Sequence, residues 1–567
     1  MATGTEKVVV AGAAAAAAAV AASGALKTMG GLNAPAALAT PSEAARFLTQ
    51  CTFGPTDAEI ASVQNLGFAG WIDQQMAMTP FSMLAAVRER LDTQTPYRVD
   101  DAAAFVECFW KGAITRPDQL RQRMQFALSQ IFVLSRENET IQGLASLATT
   151  NFYDILGRGA FGNWRTLLEQ VALNPTMGIY LSYVKNDKED PATGRTPDEN
   201  FAREVMQLFS IGTILLKPDG TPQRNIAGAT IPAYGTDDIK GLAKVFTGIS
   251  WFGNSFLSSP YAFFDGARNE GNPVQMMYYP QHHSTSEKKF LGVTIPASAT
   301  PNPAGDVQIA LDRLFNHQNT APYFAKRLIQ QFVTSNPTPA YVARVGAVFV
   351  NNGQGVRGDM GAVLRAVLMD AEARDTAAAQ ANPNFGKLRE PMIRVTNWAR
   401  AFDAQSRQGH YSIGETGAPN RLAQGILDAP SVFNFWRAGY VPPHTTLGRA
   451  NLRAPEFQVV SELTTAAYAN LMRGAITNGI GTYPSTTDVY SDYAAEIAMA
   501  ADANALLDRL NLLLFYGQMS ASLRSQILAA VNSIPVPGSG NTTTARTNRA
   551  KLAILLSVVS GEYLAQR

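Results

Sequence analysis

The stretch with the most chemistry in this 567-residue sequence is Thr196-Pro197-Asp198-Glu199-Asn200-Phe201-Ala202-Arg203-Glu204-Val205-Met206-Gln207-Leu208-Phe209. It has the form of a helix start. Thr196 suits an N-cap, Pro197 the first helical position, and Glu199 the acid of a capping box. On a helix over 197–211, Glu199, Arg203 and Gln207 share one face at four-residue spacing and can pair, with Asn200 and Glu204 in the adjacent row. The acid-rich loop Asn186-Asp187-Lys188-Glu189-Asp190 precedes them. Carboxylates, a guanidinium and an amide in adjoining rows suit general acid–base catalysis or a cation site, so Glu199, Asn200, Arg203 and Glu204 are the candidate catalytic residues. The structural alternative is a capped helix with buried ion pairs.

Five histidines are few enough to weigh singly. His282 and His283 lie in Tyr279-Pro280-Gln281-His282-His283-Ser284, and His444 follows Pro442-Pro443. His317 closes a helix over 306–316, where a cationic or donor side chain suits the C-terminal dipole. His410 sits in a Gly- and Ser-rich loop and has no evident role. A mononuclear divalent-metal site could be assembled from His283, His317 or His444 with Glu199 or Asp238. His283 and His317 are the candidate metal ligands, and Asp238 and His444 the candidate substrate-binding residues. No HExxH or HxH spacing requires a metal, and histidines that fix loops by hydrogen bonds are the alternative.

Gly353-Gln354-Gly355-Val356-Arg357-Gly358 matches GxGxxG, but the segment before it, 340–350, has helical rather than strand spacing. The dinucleotide mechanism needs a strand there, so no nucleotide cofactor is expected, and Arg357-Gly358-Asp359 reads as a turn and N-cap for a helix from Met360. No GxSxG elbow or P-loop is present. The two cysteines, Cys51 and Cys108, form no CxxC and read as buried thiols, with a disulfide as the alternative.

The elements that must position these groups are helical almost throughout. Helical periodicity recurs over 117–135, 162–173, 236–247, 306–316, 320–334, 338–350, 360–372, 386–404, 456–475, 493–515, 520–533 and 543–565. Within 117–135, Met124, Leu128, Ile131 and Phe132 form one face and leave Arg121, Arg123 and Gln130 for another. Thr56 and Glu59 predict a capping box. Strand-like alternation is confined to Thr213–Leu216 before the Asp219-Gly220 turn and to short pieces in 250–295. Pro and Gly cluster in 185–197, 217–235, 250–305 and 405–450, which keep enough aromatics to read as long ordered loops. The expected fold is mainly α: one multi-helix domain over 40–567, at most a small β-hairpin, and a flexible connector near 534–546.

With 47 basic and 45 acidic residues, the chain lacks the basic surplus of a nucleic-acid binder, and its alternating charges read as solvated helix faces. Residues 8–26, VVVAGAAAAAAAVAASGAL, followed by Ala37-Leu38-Ala39, have the form of an export signal. Alanine is too weakly apolar for a permanent anchor, so residues 1–39 are expected to be an arm that directs export, without stable membrane insertion. A flexible low-complexity arm is the alternative.

With these segments in place, the sequence resembles the bacterial family known as domain of unknown function 1800. The resemblance rests on Ala45-Arg46-Phe47-Leu48, Thr52-Phe53-Gly54-Pro55, Leu66-Gly67, Trp71-Ile72 and above all Pro197-Asp198-Glu199-Asn200-Phe201-Ala202-Arg203-Glu204. It continues through Phe246-Thr247-Gly248, His283 with Glu287-Lys288, His317 with Asn319-Thr320-Ala321-Pro322, and Thr334-Ser335-Asn336-Pro337. Later matches are Arg357-Gly358-Asp359, Leu388-Arg389-Glu390-Pro391, Pro430-Ser431-Val432-Phe433-Asn434-Phe435 and Ala454-Pro455-Glu456. The resemblance implies a periplasmic or extracellular protein, often encoded beside a secreted sulfatase-like family, domain of unknown function 1501, and it transfers no reaction. Some relatives carry Glu and His late in the motif helix, where this chain has Gln207 and Phe209. Three functions stay open: an exported protein working with a secreted partner on surface or polymeric material, an enzyme with a carboxylate/histidine cleft, and a structural or assembly protein.

Overall fold

Thr40 sets where the helical body begins. Its hydroxyl accepts from Glu43 N at 3.2 Å and its own N–H donates to Glu43 Oε2 at 2.8 Å, a complete capping box for the helix Pro41–Cys51. The computed structural model describes residues 39–93, 101–138, 141, 146–252, 262–265, 274–482, 486–538 and 540–567. The export-like run 8–26, with Ala37 and Leu38, lies outside them. At the next helix, Asp57–Ala77, Thr56 Oγ1 accepts from Glu59 N at 3.2 Å, and Gly67 at φ 69° kinks it midway.

Most of the expected helices form, with ends shifted by a few residues. The 320–334 pattern becomes Thr320–Phe332, the 386–404 pattern Pro391–Ala401, and the 493–515 pattern divides into Ala494–Met499 and Ala503–Phe515. The 117–135 pattern narrows to Gln119–Ser129, and there the expected polar face is absent, because every residue of that helix is buried. Its arginines are satisfied by carbonyls instead of water: Arg121 donates to Gly157 O at 3.1 Å and Arg123 to Gln331 O at 2.7 Å. One contiguous buried cluster extends from Ala44 to Tyr563, so the first and last described helices share a core. Cys51 and Cys108 are both buried free thiols within it, and burial pushes the Cys108 thiol up to about 12.

Strands are short and antiparallel. There are four small sheets among the described residues, more pieces than a single hairpin, but the fold is mainly α as expected. Lys288–Phe290 pairs with Val293–Ile295, and Lys387–Leu388 pairs with Ala565–Gln566, which clips the end of the chain to its middle. The 213–216 segment forms only isolated bridges, Ile214 to Pro232 and Leu216 to Pro222. Proline cannot extend such a ladder, and Leu216 N is taken by Asn319 Oδ1 at 2.8 Å. The GxGxxG run follows the helix Pro339–Val350, and Asp359 caps Met360–Met369 by accepting from Ala362 N at 2.9 Å, so the dinucleotide reading fails on topology as expected. No helix among the described residues is long and apolar enough to cross a membrane.

Candidate functional site

The motif segment departs from its sequence spacing at its start. Thr196 to Glu199 stay outside the helix, which runs only Asn200–Glu204 and continues directly as a π turn, Val205–Ser210. Glu199 takes the N-cap position without a side-chain cap bond, so the expected Thr196–Glu199 capping box does not form. Pro197 disfavours helical geometry in the residue before it. Asn186 Oδ1 then accepts from Asp198 N at 2.8 Å and fixes the approach. Asp198 supplies the cap: its Oδ1 accepts from Asn200 N at 2.7 Å and its Oδ2 from Ser182 Oγ at 3.0 Å.

The apolar residues of the segment lock it down. Phe201 stacks on Tyr183 with centroids 3.9 Å apart and meets Phe246 edge-on at 4.7 Å, while Phe209 packs on Phe132 at 5.5 Å. The wider π turn frees backbone carbonyls that other groups satisfy. Tyr323, on Thr320–Phe332, donates to Leu208 O at 3.0 Å and reaches Gln207 O at 3.3 Å, and Ser210 Oγ donates back to Val205 O. Such an inserted residue turns the side chains after Glu204 away from a simple four-residue face. Gln207 accordingly accepts from Tyr234 OH at 3.3 Å, while the Glu199–Arg203 pair forms alone at 3.2 Å, half-exposed.

Glu204 is the exceptional group. It is 5% exposed, and neither carboxyl oxygen has a hydrogen-bond or ion-pair partner among the described residues; Oε2 is wholly enclosed. Burial raises its pKa above the ordinary glutamate range, and the Arg203 charge offsets only part of that. Three tyrosines, two from other helices and one from the loop before Thr236–Val245, lie within its field. Burial, and secondly the Glu204 charge, push Tyr180 and Tyr234 up to about 12, and Tyr323 is raised in the same sense. The result is a carboxyl whose neutral form is favoured by burial, beside phenols raised in the same way, with Arg203 and Glu199 on the solvent side. A proton donor for general acid catalysis needs this environment. Sequence spacing gave no sign of the tyrosines, since 180, 234 and 323 share no element.

The histidines do not converge. His283 is fully buried: Nδ1 lies 2.9 Å from Thr247 O and Nε2 3.0 Å from Asp306 Oδ2, which Lys288 Nζ also meets at 2.9 Å. Both ring nitrogens are engaged, so His283 ties its loop to the first turn of Pro303–Asn316. His317 is the C-cap of that same helix, 11 residues beyond Asp306, or roughly 16 Å along its axis. That separation rules out a shared metal, and it corrects the assignment of His283 and His317 as ligands. His317 is no cationic cap either. Burial pushes its imidazole down to about 4, and Nδ1 accepts from Asn319 N at 3.1 Å. Asp238 spends both oxygens on backbone, Gly235 N at 2.8 Å and Leu291 N at 2.6 Å, as an N-terminal cap for Thr236–Val245. His444 is exposed, at φ 59°, and no hydrogen bond or ion pair joins it to Glu199 or Glu204. Among the described residues no group of three or more His, Cys, Asp or Glu side chains is placed to hold a metal, so they do not assemble the divalent-metal site that the sequence left open.

With this geometry fixed, comparison places the chain. The family model described as "Protein of unknown function (DUF1800)" matches residues 46–565. The chain belongs to that family. No curated protein matches it, and no solved structure does. The structure shows what several of the DUF1800-like motifs do. Gly54 of Thr52-Phe53-Gly54-Pro55 presses on Asn397, leaving no room for a Cβ, and Gly248 of Phe246-Thr247-Gly248 does the same against Tyr279 O. Asn319 donates to Ile211 O and Ile214 O at 2.8 Å each and so closes the π turn's exit. In this DUF1800 chain the motifs outside 197–204 are largely fasteners, whereas Glu204 makes no such bond.

Proposed function

We propose that this DUF1800 protein is an enzyme working by acid–base chemistry, with Glu204 as the proton donor. The observation that carries this reading is the enclosed, unpartnered Glu204 carboxyl. A buried polar group without a partner destabilises a fold unless something else requires it, and perturbed carboxyls of this kind concentrate at reaction sites. In this reading Glu204 gives its proton to the departing oxygen or nitrogen of a polar substrate and recovers one from the attacking water. Arg203, held by Glu199, orients the substrate's polar group at the solvent side, and Asn200, which donates to Ser182 Oγ at 3.3 Å, keeps that rim in place.

We further propose that the enzyme works outside the cytoplasm on surface or polymeric material, with a secreted sulfatase-like partner. The alanine-rich 8–26 run and the family resemblance support this part. N-terminal sequencing of protein recovered from the periplasm and medium tests it; an intact Met1 in cytoplasmic fractions alone defeats the export claim. Co-purification of the partner from those fractions tests the pairing.

The chemistry is tested with Glu204→Gln. On a panel of esters, glycosides and sulfate esters, turnover by the wild type should fall by about 10²–10⁴-fold in this variant. Its unfolding midpoint at pH 7 should be no lower than wild type, because the amide removes no bond that the carboxyl makes. In infrared difference spectra, wild type minus variant should show a protonated carboxyl persisting above the ordinary glutamate range. Unchanged turnover, or a carboxyl ionised at its ordinary value, defeats the proposal.

A further inference from the structure

Far from Glu204 in sequence, segments around 335, 383–394, 447–468 and 561–567 enclose a cavity of about 670 Å³. The Lys387–Leu388 and Ala565–Gln566 strand pair forms part of its wall. The lining is mainly apolar, including Leu452, Phe457 and Leu564, and Val460 at 43% exposure carries that character to the outside. A cavity of this size and character matches a small-molecule site.

Its charge is one-sided. Among the described residues no Asp or Glu side chain lines it, whereas Lys387, Arg394, Arg453 and Arg567 do. Lys387 is neutralised by Glu456 at 3.1 Å and Glu390 at 3.6 Å, and Arg567 donates to the Gln380 and Asn382 carbonyls. The other two are different. Arg394 is 7% exposed, donates Nε to Arg389 O at 2.8 Å and lies over the Tyr468 ring at 5.2 Å, but no carboxylate is within ion-pair distance. Glu456, the acid in its field, is already taken by Lys387. The Arg453 guanidinium has no hydrogen-bond or ion-pair partner among the described residues. An arginine keeps its charge under ordinary conditions, and a buried one without a counter-ion is costly.

We propose that this cavity binds an amphiphilic anion, its carboxylate or phosphate head held by Arg394 and Arg453 and its hydrocarbon body against Leu452, Phe457 and Leu564. Guanidinium forks match the paired oxygens of either head, and a small hydrophilic anion would leave the apolar walls unused. This site is independent of the acid–base reading.

The test titrates purified full-length protein with dodecanoate and with dodecyl phosphate below its micelle concentration, using dodecanol and inorganic phosphate as controls. Saturable binding of one of the two amphiphilic anions is expected, with both controls at least about tenfold weaker. Arg453→Gln, at a half-exposed position, should weaken binding by about tenfold to a hundredfold. Arg394→Met should do the same if it folds, and Leu452→Trp, which narrows the cavity where the hydrocarbon body would lie, should weaken binding. Solvent extraction of protein isolated from its own host, followed by mass spectrometry, distinguishes the sources: a fatty acid supplies a carboxylate head and a phosphorylated lipid a phosphate head. Absence of saturable binding by either anion, dodecanol binding as tightly as dodecanoate, inorganic phosphate binding as tightly as dodecyl phosphate, or no effect of Arg453→Gln overturns the proposal.

Discussion

Two buried groups in this chain titrate in opposite senses, and their difference predicts a measurable pH profile. The Glu204 carboxyl is held above the ordinary value of 4.5, so below that pH both folded and unfolded chains keep the proton and nothing is lost. As pH rises past 4.5 the unfolded chain ionises first, and stability falls until the folded value is passed. His317 does the reverse. Its imidazole is pushed from 6.5 down to about 4, so stability falls as pH drops through that window. The midpoint advantage of Glu204→Gln over wild type in thermal unfolding should therefore be small near pH 4 and grow toward pH 7. His317→Gln should flatten the acid side alone. A constant advantage for Glu204→Gln across that range contradicts a carboxyl that burial holds above its ordinary value. Of these two residues, sequence spacing marked Glu204 as a candidate beside Glu199, Asn200 and Arg203. It could not show that Glu204 alone would turn inward, because that depends on Phe201 and Phe209 finding Tyr183, Phe246 and Phe132 across the fold. His317 was misjudged for a related reason: a histidine ending a helix looks cationic until its burial is known.

At the scale of elements, the sequence was clearest where one face repeats at helical spacing and a cap residue marks the start, as at Thr56 and Asp359. It was least clear where tertiary partners override the local pattern. The π turn at Val205–Ser210 has no signal of its own in the sequence and persists because Tyr323 satisfies its carbonyls and Asn319 those just beyond it. Gly212, at φ 69°, sits where a Cβ would come within 3.0 Å of the Tyr323 ring, so the turn's exit needs glycine for both conformation and space. Gly212→Ala should cost roughly 1–3 kcal/mol, and Tyr323→Phe about 1 kcal/mol. In both variants, hydrogen exchange should accelerate at the amides of Ile211 and Gly212, which donate to Met206 O at 2.9 and 3.0 Å. Unchanged exchange there would show that the π turn holds without its tyrosine. The Asn200–Glu204 helix leads directly into this turn, so the proposed acid–base activity should fall along with protection.

For the molecule as a whole, the alternating charges proved a poor guide to what faces water. Arginine is a principal fastener of the core. Arg46 reaches Arg567 O at 3.0 Å and Ala373 O at 2.6 Å, joining the first helix to the end of the chain. Arg400, 6% exposed, donates to Gly54 O at 2.7 Å, Ile114 O at 2.8 Å and Glu59 Oε2 at 2.5 Å, so one side chain binds three segments to Pro391–Ala401. A charge pattern cannot separate such residues from Arg344, whose pair with Asp370 lies at the surface with half its side chain exposed. The long guanidinium can bury its stem and still satisfy five donors, and a large helical fold has many carbonyls at helix ends that need them. The two classes should separate sharply in urea unfolding. Arg400→Met removes the guanidinium from two buried carbonyls and from the Glu59 carboxylate and should cost roughly 3–5 kcal/mol, with Arg400→Lys rescuing little because an ammonium cannot span three acceptors. Arg344→Met should cost under about 1 kcal/mol. Since Cys51 and Cys108 lie in the same buried cluster, thiol labelling reports on the same cooperativity. Both should stay protected in wild type and become reactive together in Arg400→Met at a lower urea concentration. If instead Cys108 were labelled well before Cys51, the N-terminal helices would open separately from the rest of the core, and the arginine ties would not make the fold one unit.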